Sequence, residues 1–68
     1  MEVFQENVRV STKVEKDGVP AGTRGRVVRV VKHGPNVSVW VYFDAYPSGI
    51  EVDGYKAHKY YASWLKMV

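Results

Sequence analysis

The side chains of this 68-residue chain that could do chemistry are two histidines, seven carboxylates and a set of arginines interleaved with aromatic rings; there is no cysteine. His33 and His58 lie far apart, and neither has a His, Cys or carboxylate neighbour at metal-ligand spacing, so no metal site is expected. The pattern places His33 at a hairpin tip and His58 on a surface strand. Asp44, Glu51 and Asp53 are close enough in sequence to act as paired carboxylates, but acid–base work needs a pocket that drives their pKa values apart. A domain this small has little room for such a pocket, so Asp44 reads as a strand end and Asp53-Gly54 as a turn. The expectation is no catalytic residue, no metal and no cofactor. The absence of cysteine excludes a disulfide framework, a zinc ribbon and thiol chemistry, and it agrees with a reducing cytosol.

The arginines carry more information. Ten basic against seven acidic residues leave a net charge of +3. Between Gly18 and Phe43 there is no acid, and Arg24, Arg26, Arg29 and Lys32 all fall there. A second acid-free stretch follows Asp53 and holds Lys56, Lys59 and Lys66. A fold that joins the two stretches makes a basic face. Trp40 and Tyr42 sit at alternate positions of the next strand and point toward it. Exposed rings beside arginine stack bases while the guanidinium pairs with phosphate; Trp, Tyr and Arg are equally the residues that dominate protein–protein hot spots. The candidate binding residues are therefore Arg24, Arg26, Arg29, Lys32, Trp40 and Tyr42. Two plainer readings stand beside this one. The charges can be ordinary solvation of a small domain, and Trp40 can be covered by a second small cluster or by the Val3-Phe4 segment.

The elements that must position these residues are strands. Val, Tyr and Trp favour strands, and turn residues recur at short intervals: Asp17-Gly18, Gly34-Pro35-Asn36, Pro47-Ser48-Gly49 and Asp53-Gly54. Strand one spans Asn7 to Val14, with Val8, Val10 and Thr12 alternating against Arg9, Ser11 and Lys13. Strand two spans Gly25 to His33. Its Val27-Val28 and Val30-Val31 pairs break the alternation, and a β-bulge near Val28 lets Val27 and Val30 both face inward. Gly22 and Gly25 bracket the bend before it, and one of them is expected at positive φ. Strand three spans Asn36 to Asp44, with Val37, Val39, Val41 and Phe43 on one face and Ser38, Trp40 and Tyr42 on the other. A fourth strand lies within Ile50 to Tyr61, interrupted at Asp53-Gly54. Ala62 to Leu65 forms one short helical turn with Ser63 as a local cap, and Lys66 to Val68 closes the fold. The core is expected from Val8, Val10, Val27, Val30, Val39, Val41, Phe43 and Leu65, together with Trp64 and one of Tyr60 and Tyr61.

Val8-Arg9-Val10, the Ala21 to Val30 run, Val39 to Asp44, and the closing Leu65 and Val68 resemble an SH3-like layout. The pattern is similar to that of an electron-transport accessory group: the E subunit of photosystem I, the variable chain of ferredoxin–thioredoxin reductase, and the S subunit of the photosynthetic NADH-dehydrogenase-like complex. The glycine-centred run from Gly22 to Val30 also resembles the KOW group of ribosomal and transcription proteins. The resemblance covers roughly Asn7 to Val68. It implies an all-β fold: a small five-stranded SH3-like barrel with one short 3₁₀ turn before the last strand. Type II dihydrofolate reductase resembles this fold and size too, and builds its active site from a tetramer, but its Val-Gln-Ile-Tyr motif has no counterpart here.

These readings converge on one domain, 1–68, that binds rather than catalyses. The basic, aromatic-bearing face is expected to dock on an anionic partner, an acidic protein surface within a larger assembly. Nucleic-acid binding is the alternative, and an oligomeric enzyme the third reading. No stretch reaches the roughly 20 apolar residues of a membrane span, and the N-terminal Met1 to Glu6 does not read as a signal peptide. The expected setting is cytoplasmic, with the oligomeric state left open.

Overall fold

Alternating β-branched and aromatic residues give strands throughout the computed structural model, which describes residues 5–68 and has no α-helix among them. The elements are β1 (Arg9–Thr12), β2 (Arg24–His33), β3 (Asn36–Tyr42), β4 (Ile50–Val52) and β5 (Tyr55–Tyr61), then a 3₁₀ turn (Ala62–Trp64) and β6 (Leu65–Met67). They form one antiparallel sheet in the order β4-β5-β3-β2-β1-β6. The expected strand count was one short. The interruption at Asp53-Gly54 is a hairpin turn between two paired strands, because Asp53 (φ 49°) and Gly54 (φ 87°) both take the left-handed conformation that a tight hairpin requires. At the other hairpin, Gly34 (φ 59°) followed by Pro35 makes the two-residue turn joining His33 to Asn36.

The sheet is strongly curled. In a flat sheet β5 and β6 would stand four strand spacings apart, roughly 19 Å. Only the three-residue turn Ala62–Trp64 joins them, and four Cα steps reach about 15 Å at most. Curling turns the inward positions of β1, β2, β3, β5 and β6 onto one cluster: Val10, Val27, Val39, Val41, Phe43, Tyr60 and Leu65, each no more than 1% exposed. The register expected for β3 is the one found, with Val39 and Val41 inside and Trp40 on the opposite face. The bulge is found as well. Val27 pairs with Val41 and Arg29 with Trp40, leaving Val28 as the extra residue.

Some expectations need correction. Val8 and Val30 are half-buried and pack on the margin of the core rather than within it, because Val8 precedes β1 and Val30 lies past the point where β1 stops pairing with β2. Trp64 is half-buried too, packed against the cluster, while Tyr60 is the tyrosine that fills it. Ser63 does not cap the 3₁₀ turn: the cap position is Tyr61, with no side-chain hydrogen bond, and the Leu65 N–H donates to the Ala62 carbonyl. A fully buried residue that alternation could not reveal is Val19. Lys16 and Val19 exchange backbone hydrogen bonds of 3.1 and 2.9 Å across Asp17 and Gly18, both at positive φ, and this turn folds Val19 back into the core.

Gly22, just before β2, and Gly25, near its start, are required for different reasons. Gly22 has φ 86° and open space around it, whereas Gly25 lacks room: a methyl there would lie 2.7 Å from side-chain atoms of Phe43 and Val41. Gly22→Ala is therefore expected to cost about 1 kcal/mol through backbone strain alone. Urea denaturation should show a lower midpoint with an unchanged slope, and Gly22→Asn should lose less, since asparagine tolerates the left-handed region.

Candidate functional site

Cross-strand pairing assembles the basic and aromatic residues. Arg9 of β1 stands directly opposite Arg26 of β2, and Arg26 opposite Tyr42 of β3. One row further along, Arg29 faces Trp40, and Trp40 faces Lys59 of β5. Both rows lie on the face opposite Val27, Val39 and Val41. Side chains directly opposite on one face stand close enough to interact. Arg24, Arg26, Arg29 and Lys32 are exposed, while Trp40 and Tyr42 are half-buried. Lys32 pairs with Val37 near the hairpin turn, an odd number of residues beyond Arg29, and so lies on the alternate face, away from the patch.

Arg9, Asp44, Tyr55 and Lys59 complete the site. Arg9, Arg24, Arg26, Tyr42 and Asp44 line a shallow concavity with the Gly25 backbone. The Tyr55 ring is 5.5 Å from that of Tyr42, and the Arg26 guanidinium lies 5.8 Å from the Tyr55 centroid, in cation–π range. Lys59 extends the patch past Trp40. Arg9 was legible as the outward residue of strand one. Tyr55 and Lys59 joined the patch only once β5 was known to pair with β3.

The face is mainly basic, with Asp44 at its border beside Tyr42. Among the described residues, no carboxylate lies within ion-pair distance of Arg9, Arg24, Arg26 or Arg29. Like charges directly opposite on a sheet are destabilising, so the Arg9–Arg26 pair is a cost to the free protein. Burial first, and then the neighbouring Asp44 carboxylate, push the Tyr42 hydroxyl above its ordinary range, so it stays protonated at neutral pH. Arg9→Gln is expected to raise stability by about 0.2–1 kcal/mol at low salt, with the gain shrinking as salt screens the pair. Equal or lower stability of Arg9→Gln in paired urea titrations at low and high salt would show that the two guanidinium groups do not repel.

A second polar cluster sits at the turn between β1 and β2. Lys16 Nζ donates to Asp17 Oδ2 at 2.7 Å and lies 5.5 Å from the Tyr60 ring centroid, and Asp17 Oδ2 is 4.0 Å from His58 Nδ1. The Lys16 hydrogen bond and charge hold the Asp17 carboxyl below its usual range, and burial raises the Tyr60 hydroxyl. His58 was expected on the surface and is instead buried, 7% exposed, because it occupies an inward position of β5 opposite Val41. His58 Nε2 and the Tyr60 hydroxyl are buried with no hydrogen-bond partner among the described residues. Gly49 closes over the imidazole: a methyl there would lie 3.3 Å from Nε2.

The remaining carboxylates do different work. Glu51 stands opposite Lys56, Asp53 forms the β4–β5 turn, and Asp44 borders the arginine concavity. No group of three His, Asp or Glu side chains among the described residues is arranged to hold a metal ion. No helix among them is long and apolar enough to cross a membrane. The Val3-Phe4 segment, considered above as a cover for Trp40, lies outside the described residues. No family model, curated protein or solved structure matches this chain.

Proposed function

We propose that this chain is a non-enzymatic binding module, an SH3-like barrel that docks on the acidic surface of a partner protein within a larger cytoplasmic assembly. The docking face comprises Arg9, Arg24, Arg26 and Arg29 with Trp40, Tyr42 and Tyr55. The observation that carries this reading is Arg9 directly opposite Arg26 with no carboxylate of the described residues paired to either. A partner carboxylate placed between them would turn a repulsion of the free protein into a charge-assisted, geometrically specific contact. The rings beside it supply the flat apolar area of a hot spot. The curl of the sheet and the resemblance of the Ala21 to Val30 and Val39 to Asp44 runs to an SH3-like layout support barrel closure.

Nucleic-acid binding is the second reading, and one observation favours it: Tyr55 is 44% exposed beside Tyr42 and Arg26, a pairing of ring and cation on which a base could stack. Capture from native extract, with and without nuclease and across a salt series, separates the two. Protein docking requires an acidic protein retained after nuclease treatment. Loss of all captured material on nuclease treatment, with a steep and sequence-independent salt dependence, would transfer the assignment to nucleic acid. An oligomeric enzyme would show itself as a stable multimer by light scattering, since a single chain of this length has little room for a catalytic pocket.

A further inference from the structure

Among the described residues, half of β2 has a neighbour on one side only. β1 pairs with β2 at Arg24, Gly25 and Arg26, and Val27 exchanges backbone hydrogen bonds with Asn7 and Val8. Past the bulge at Val28, Arg29 to His33 pair with β3 alone. The two-residue turn makes His33 and Asn36 a mutually hydrogen-bonded pair, and the alternation of an antiparallel ladder then turns the N–H and C=O of Val30 and Lys32 away from β3. No backbone or side-chain hydrogen bond among the described residues engages those four groups.

We propose that this open edge of β2, Arg29 to His33, receives an acidic extended segment of the partner protein as an added strand. The proposal rests on the proposed function only for the sign of the partner's charge. The edge spans roughly 17 Å, the length of an ordinary short strand, and main-chain hydrogen bonds supply the affinity in this mode of recognition. Charge selects the occupant. Arg29 and Lys32 are exposed along the edge, and no acid lies anywhere between Gly18 and Phe43. A second copy of this chain would set those cations against themselves, and edge lysines are a common guard against such self-pairing. An acidic strand meets attraction instead. The half-buried Val30 and Val31 offer it apolar contact on both faces.

The test uses two blocked peptides of alternating glutamate and valine, one unmodified and one N-methylated at alternate residues, which keeps the charge and removes strand pairing. The unmodified peptide should bind, slow hydrogen exchange at the Val30 and Lys32 amides, and lose about tenfold or more in affinity on N-methylation. Lys32→Pro deletes one edge-facing N–H without touching the β3 ladder and should weaken binding well beyond Lys32→Gln. Equal affinity of the two peptides, or no binding of either, overturns the edge proposal. If Lys32→Pro does not fold, the N-methylated peptide still decides. Exchange and chemical-shift changes confined to Arg9, Arg26 and Tyr42 would refute strand addition while leaving the docking face intact. Peptide binding at the edge that survives Arg26→Glu would support the edge as a contact separate from that face, whose own test is retention of the partner.

Discussion

Phe43→Ala is expected to cost about 3–5 kcal/mol, and to leave most of the chain unfolded at room temperature. A domain of this size has a similar total stability, because its single core rarely supplies more. Phe43 is fully buried, with the rings of His58 and Tyr60 each 5.8 Å from its own. It also fills the space against Gly25. A cavity at this point would abut residues of β2, β3 and β5 together, and a sheet held in a curl cannot collapse into it locally. Circular dichroism and urea titration read the result directly. A native-like midpoint for Phe43→Ala would mean that the cluster around Tyr60 is not the stabilising core. The complementary change, Gly25→Ala, overpacks the same spot and is expected to cost about 1–3 kcal/mol. Adding Phe43→Leu should recover part of that loss, giving the non-additivity of two residues that share one space.

The double reversal Arg26→Glu with Arg29→Glu is expected to reduce partner affinity by a hundredfold or more, on the order of 3 kcal/mol, without loss of stability. Both side chains are exposed, and the contact the change removes is the exposed Arg26–Tyr55 cation–π pair, worth about 0.5–1 kcal/mol. Arg26→Glu also replaces the repulsion with Arg9 by an attraction across the β1–β2 ladder. The variant should therefore unfold at an equal or higher urea concentration than the parent while failing to retain the partner. Retention at full strength by a folded double variant would place the binding surface elsewhere, with the tyrosine-rich second half of the chain the next candidate. Charge-neutral Arg26→Gln with Arg29→Gln should fall between the two. A purely structural role for the arginines would instead lower stability in both variants and leave affinity unchanged.

Where a local pattern decided the outcome, the sequence was enough. The strict alternation from Val37 to Phe43 specifies which face of β3 is buried, because a one-residue slip would expose four apolar side chains at once. The paired valines of β2 require an extra residue, and the bulge falls at Val28 as they demand. Gly34-Pro35 and Asp53-Gly54 specify tight turns by their backbone preferences. From these features an all-β fold, the β2–β3 hairpin and the nearness of Arg26 and Arg29 to Trp40 and Tyr42 were already legible; the residue-by-residue register came from the structure.

Contacts between residues distant in the chain were not. That β1 lies beside β2 in the register that sets Arg9 against Arg26 depends on how the whole sheet is ordered, and no local spacing encodes it. Tyr55 enters the site for the same reason, through β5 pairing with β3. His58 looks like a polar residue on an unremarkable strand, and Tyr60 was one of two tyrosines between which the sequence did not choose for the core. His58 and Tyr60 are buried because the curl turns that face of β5 onto the core. Val19 sits in a loop without periodicity and is buried because the turn at Asp17 and Gly18 folds it back. Periodicity reports which side of a strand is apolar, and that alone determined the core face and the candidate patch. The chain's tertiary structure decided which charges stand together unpaired and which edge of β2 stays open among the described residues, because both depend on strand order and curvature, which arise only when the sheet buries its apolar face as a whole.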